Sequence, residues 1–181
     1  MESKSEVGML FFVAAEAMFF AGLIAAYWVI RANLPVWPPV GQPRLPVLVT
    51  GINTALLLIS GLAMWETLRA ARKGCQSCVI GALGLAGLLG AVFLGIQGYE
   101  WARLIRFGLG TRENVYGGTF YLIVGAHGLH VFAGLLFLWV VLFKALRGRY
   151  EESRPQSLSL CRIYWTFVVL LWPILYAIIY F

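Results

Sequence analysis

Aspartate is missing altogether from these 181 residues, and the acidic side chains are eight glutamates. Charged residues of both signs make up 12% of the chain, where soluble domains carry about 25%. A soluble fold could not hide a chain that is 61% hydrophobic, so lipid must solvate much of its surface. Histidine occurs twice and cysteine three times. Three cysteines make no disulfide framework. The sequence has no nucleophile elbow, phosphate loop, HExxH or dinucleotide fingerprint. It has no long linker, internal repeat or low-complexity stretch. The opening Met1-Glu2-Ser3-Lys4-Ser5-Glu6 is short and mixed in charge. It is unlike the basic start of a cleaved signal peptide, so the first apolar segment is expected to stay in the protein.

Five apolar segments remain, each long enough for the roughly 20 residues that a spanning helix needs. They run over about 7–31, 46–70, 77–103, 116–145 and 158–180. Continuous apolar runs of this length do not read as the alternating strands of a barrel. The expected fold is therefore all-α: one transmembrane domain over residues 1–181, built as a bundle of five helices. Pro35, Pro38, Pro39, Pro43 and Pro46 predict an extended loop between the first two. The formal charge of +6 would suit nucleic acid, but the bases sit in short runs between apolar segments. That is the membrane pattern, and no nucleic-acid partner is expected. On the N-terminal side lie Lys4, Arg69, Arg72, Lys73, Lys144, Arg147, Arg149, Arg154 and Arg162. The other side holds Arg31, Arg44, Arg103, Arg106 and Arg112. The excess predicts a cytoplasmic N-terminus and an outside C-terminus.

A few polar residues do not belong in lipid. Glu16 lies about 13 Å into the first helix at 1.5 Å per residue. A charge there costs at least about 2.5 kcal/mol, so the side chain is expected to face protein or water, or to be protonated. Its two readings, a proton-pathway or ligand-binding carboxyl and a protonated packing carboxyl, stand level. His127 and His130 are three apart on one face of the fourth helix. Two imidazoles could ligate haem, but a metal site wants three or four ligands. The favoured reading is that both hydrogen-bond across helices while nearby glycines allow close approach. Glu100 sits near the outer end of the third helix, and Glu66 near the inner end of the second. Interfacial exposure is the main reading for Glu66. Asn53 and Thr54 read as interhelical glue, and Gly87, Ala91 and Gly95 as a small-residue packing row. Cys75, Cys78 and Cys161 read as free thiols, one ligand short of a closed zinc site.

These residues resemble a family. VYGGTFYLIVGAHGLHVFAG over 115–134 is similar to the GSTFF…GFHGLHV…G run of subunit III of the haem-copper respiratory oxidases. Gln97 and Glu100-Trp101 match the Gln…Glu-aromatic pattern that precedes it. AEAMFFAG over 15–22 looks like the family's Ser-Glu-x-x-x-Phe-x-Gly helix, which makes Glu16 its intramembrane glutamate. YWTFVVLLW over 164–172 is similar to YWHFVDxxW, with Thr166 and Val169 in place of the family's His and Asp. The length corresponds to the five-helix form, which lacks the first two helices of the seven-helix form.

The resemblance implies a non-catalytic accessory subunit of a cytochrome c or quinol oxidase in a bacterial inner membrane. No catalytic residue or metal is expected here, and haem and copper belong to the partner subunit. The complex reduces oxygen in aerobic electron transport and translocates protons. The chain is expected to pack against subunit I and subunit II, within a larger supercomplex in one version. It is further expected to bind phospholipid and support proton uptake. Glu16, Glu100, His127 and His130 are the intramembrane polar residues to which those roles attach. Two alternatives are an accessory subunit of a nitric oxide reductase and a haem-binding membrane cytochrome using His127 and His130. A small transporter using Glu16 and Glu100 would need an inverted repeat, which the sequence does not show.

Overall fold

A computed structural model describes residues 4–39, 41–110, 115–147 and 156–181. It contains five long helices: α1 (Lys4–Ala32), α2 (Val47–Arg72), α3 (Gln76–Arg106), α4 (Val115–Leu146) and α5 (Gln156–Tyr180). All five are long and apolar enough to cross a membrane.

Two helix ends share one device. After α2, Gly74 takes φ +69°, the Gly74 amide donates to the Ala71 carbonyl, and the Cys75 amide donates to the Ala70 carbonyl. After α3, Gly108 takes φ +90°, with Gly108 donating to Ile105 and Leu109 to Leu104. Both are left-handed glycine caps that satisfy the orphan carbonyls of a last turn. The first makes the α2–α3 link so short that Cys75 both follows the cap and precedes α3. The proline loop leaves Leu34, Val36 and Pro38 exposed but turns Trp37 inward. It folds back over one end of the bundle, where the Trp37 ring meets Tyr27 edge-on at 5.5 Å and Tyr116 at 4.9 Å.

The core lies between α2, α3, α4 and α5. On α3 the buried positions Val79, Leu83, Ala86, Gly90, Phe93, Gln97, Glu100 and Leu104 keep the three-and-four spacing of one helix face, and Gly87 beside them is buried too. This corrects the expected small-residue row. Ala91 is exposed, and a Cβ on Gly95 would meet nothing within 4 Å. The close approaches are at Gly87, against Leu138, and at Gly90, where a Cβ would lie 2.7 Å from the Trp165 ring. Positions four apart drift off the buried stripe; alternating steps of three and four stay on it.

Polar side chains tie the core across helices. Asn53 Nδ2 donates to the Phe93 carbonyl at 3.0 Å, and Trp172 Nε1 donates to Thr54 Oγ1 at 2.9 Å. Asn53 and Thr54 thus do the interhelical work expected of them. Ser60 adds a third tie: it donates to the Ala86 carbonyl at 2.9 Å and accepts from Trp165 Nε1 at 3.0 Å. Helix α1 stands apart. It packs on α5 and more lightly on α4, and only Phe20 and Tyr27 along it are buried.

Candidate functional site

The intramembrane polar residues separate into three places. On α1, Glu16 Oε2 lies 2.9 Å from His130 Nε2 of α4. Both side chains are mostly covered, at 22% and 17% exposure. The other ring nitrogen, His130 Nδ1, lies 2.7 Å from the Ala126 carbonyl one turn earlier. A carbonyl only accepts, so Nδ1 must carry a proton. A hydrogen bond between Glu16 Oε2 and His130 Nε2 then needs a proton on one of those two atoms. Phe20 meets the His130 ring edge-on at 5.1 Å, and Tyr164 Oη donates to the His130 carbonyl at 3.3 Å. The His130 imidazole, held by these rings, gives a polar partner to a carboxyl that would otherwise be costly at this depth.

His127 goes elsewhere. It is 1% exposed and stacks on Trp172 at 4.9 Å, with Phe93 and Phe20 edge-on at 6.4 Å. Neither ring nitrogen has a hydrogen-bond partner among the described residues. The expectation that both histidines bond across helices thus holds for His130 and fails for His127. The three-residue offset rotates His127 into the aromatic core, where it meets α1 only through the Phe20 ring and not through Glu16.

The third place is the C-terminal end of α3. Glu100 is 5% exposed and pairs with Arg103 Nη1 at 3.1 Å, one turn along the same helix. One turn earlier, Gln97 Nε2 donates to Tyr180 Oη at 3.2 Å. Because α1 and α3 do not touch, Glu16 and Glu100 belong to separate environments. Glu66 is exposed and pairs with Arg69, as its interfacial reading requires.

The cysteines require a correction. Cys75 and Cys78 are joined by a disulfide, while Cys161 is a buried free thiol on α5. The free-thiol reading missed that two residues between cysteines, at a tight turn, bring their Cα atoms to 5.3 Å. Among the described residues, no group of three or more His, Cys, Asp or Glu side chains could hold a metal ion.

The family model for cytochrome c oxidase subunit III matches residues 2–181. The chain belongs to the cytochrome c oxidase subunit III family. It is 33% identical over 174 residues to cytochrome c oxidase subunit 3 of Synechocystis sp., covering 96% of this chain and 73% of that one. It is 35% identical over 175 residues to the Thermostichus vulcanus protein of the same name, covering 96% and 85%. The Corynebacterium diphtheriae protein is 34% identical over 178 residues, covering 97% and 86%. As a subunit III, the chain is a multi-pass accessory component of a terminal oxidase complex, and the family carries no haem or copper of its own.

Within this subunit III, Val169 packs where a Cβ on Gly61 would come within 2.9 Å of its Cγ1. The helix α5 position that differs from the family pattern is thus an apolar contact with α2. Thr166 is instead half-buried in a groove lined by α1, α5 and Trp65 of α2.

Proposed function

We propose that this subunit III supports proton uptake and retains phospholipid while packed against the catalytic subunit I, and subunit II, of a haem-copper oxidase. A larger supercomplex is compatible with the same role. The observation that carries the reading is the Glu16–His130 pair, a carboxyl and an imidazole in hydrogen-bond contact at 2.9 Å in the middle of a spanning helix. A proton can sit at either end of it without a net charge being created in the membrane. Lipid retention is supported by the groove of about 570 Å³ lined by Leu10, Ala17 and Ile24 of α1 and by Ile163, Phe167 and Ile174 of α5. Leu10 to Ile24 spans about 21 Å of helix, the reach of an acyl chain. Arg162 closes one end, its guanidinium 5.8 Å over the Trp65 ring, where a lipid phosphate would find a cation.

The bacterial relatives favour a plasma membrane, and the basic excess on the N-terminal side favours a cytoplasmic N-terminus. Affinity purification through this chain is expected to bring down haem-copper subunit I; a clean chain without it removes the proposal. In that purified complex, Glu16→Ala is expected to shorten sustained turnover more than it lowers the initial rate. Equal loss of both, or none, refutes the proton role.

A further inference from the structure

The α2–α3 turn carries chemistry that the oxidase role does not use. We propose that Cys75 and Cys78 form a reversible thiol–disulfide site on the cytoplasmic face, reduced by a dithiol donor of the thioredoxin class and reoxidised by peroxide. The compartment in this proposal rests on the orientation reading above.

Four observations converge on it. The cysteines enclose only Gln76 and Ser77, so the bond closes a four-residue ring. Cys78 is exposed and Cys75 half-buried, so a soluble reductant can reach the sulfur, unlike that of the buried Cys161. The pair sits at the start of the 31-residue α3, with Cys75 at the N-cap, and Arg72 and Lys73 precede it. Helix-terminal amides and cations stabilise the thiolate, the species that exchanges. Finally, the turn belongs to the end of the bundle that bears the basic excess, and disulfides in a cytosolic compartment are mostly transient.

The exchange balances. A donor thiolate attacks Cys78 Sγ, the Cys75–Cys78 bond breaks, and Cys75 leaves as a thiolate that takes up a proton. The donor's second thiol then displaces Cys78, and the donor departs as a disulfide. Two electrons and two protons have passed to the pair. In the return direction two thiols and one hydrogen peroxide give one disulfide and two waters. Gln76 connects the ring to the rest of the bundle: its Nε2 donates at 3.1 Å to the Ala145 carbonyl in the last turn of α4. Opening the ring loosens the residue that holds that carbonyl.

The test uses the oxidase complex in native membranes, as inverted and right-side-out vesicles. An impermeant maleimide labels them before and after a thioredoxin system or hydrogen peroxide, and peptide masses report each cysteine. The expected result is labelling of Cys75 and Cys78 from the inverted face only. It rises severalfold on reduction and is lost again with peroxide. Amide exchange in the last turn of α4 is expected to quicken on reduction, and to be quick in both states in Gln76→Ala. Cytoplasmic labelling that neither treatment changes overturns the redox site while the orientation stands. Labelling from the outer face alone overturns both the orientation and the cytoplasmic site. Unchanged α4 exchange overturns the link through Gln76.

Discussion

The Glu16–His130 contact predicts an asymmetric pair of mutants. Removing the carboxyl by Glu16→Ala leaves His130 Nε2 without its partner, but Nδ1 keeps the Ala126 carbonyl at 2.7 Å and holds the ring. Only one interhelical hydrogen bond is lost, which is worth about 0.6 and at most about 1.7 kcal/mol in a membrane bundle. Taking about 1 kcal/mol, the folding equilibrium falls about fivefold. Glu16→Gln retains an N–H that can donate to Nε2, so its cost stays below about 0.5 kcal/mol. His130→Ala is worse. It leaves the Glu16 carboxyl unpaired near the middle of α1, where a charge costs at least about 2.5 kcal/mol, and it empties the space beside Phe20. The double mutant then removes the stranded carboxyl and recovers part of the loss. Equilibrium unfolding in mixed micelles of all four variants gives the coupling, expected at about 1–2 kcal/mol. Additive single costs would refute the pair as an energetic unit. A Glu16→Gln cost equal to that of Glu16→Ala would show that the carboxyl's charge, not its hydrogen bond, is what α4 recognises.

Four further substitutions test the packing. Gly90→Ala places a Cβ 2.7 Å from the Trp165 ring and 3.0 Å from Leu135, and is expected to cost about 1–3 kcal/mol. Gly95→Ala meets nothing within 4 Å and is expected to be neutral or slightly stabilising in the same unfolding assay. Arg103→Ala strands the buried Glu100 carboxylate. Because Arg103 is itself about half exposed, at 47%, the cost is expected near about 2 kcal/mol, and adding Glu100→Gln should return most of it. Asn53→Ala removes the bond to the Phe93 carbonyl and is expected to lower the thermal midpoint by the equivalent of about 1 kcal/mol.

The helices were legible because their signal is collective: twenty apolar residues in a row admit few structures in lipid. Membership of the family was legible from 115–134 and the motif around Glu16, where several residues agree at once. Asn53 and Thr54 were readable as glue because small polar residues in lipid must find partners. Pairwise geometry was not legible. Nothing in the spacing of His127 and His130 says that one faces the Glu16 carboxyl and the other the Trp172 ring, since both positions satisfy the same periodicity. The glycine row failed for a related reason. Counting by fours marks a packing face only over one or two turns, and the long α3 outruns it. The disulfide depended on Gly74, whose left-handed φ closes the turn between α2 and α3.

The loosely held α1 also has a consequence in time. Glu16 and its partner lie 114 positions apart in the chain. At about 5–20 residues per second, ribosomal synthesis leaves roughly 6–23 s between the two. During that interval α1 is already made and α4 is not. Its carboxyl must wait protonated, drawn toward the membrane edge, or sheltered by the insertion machinery. Cells short of that shelter should lose this subunit at the stage of a half-built helix set, before any oxidase is assembled.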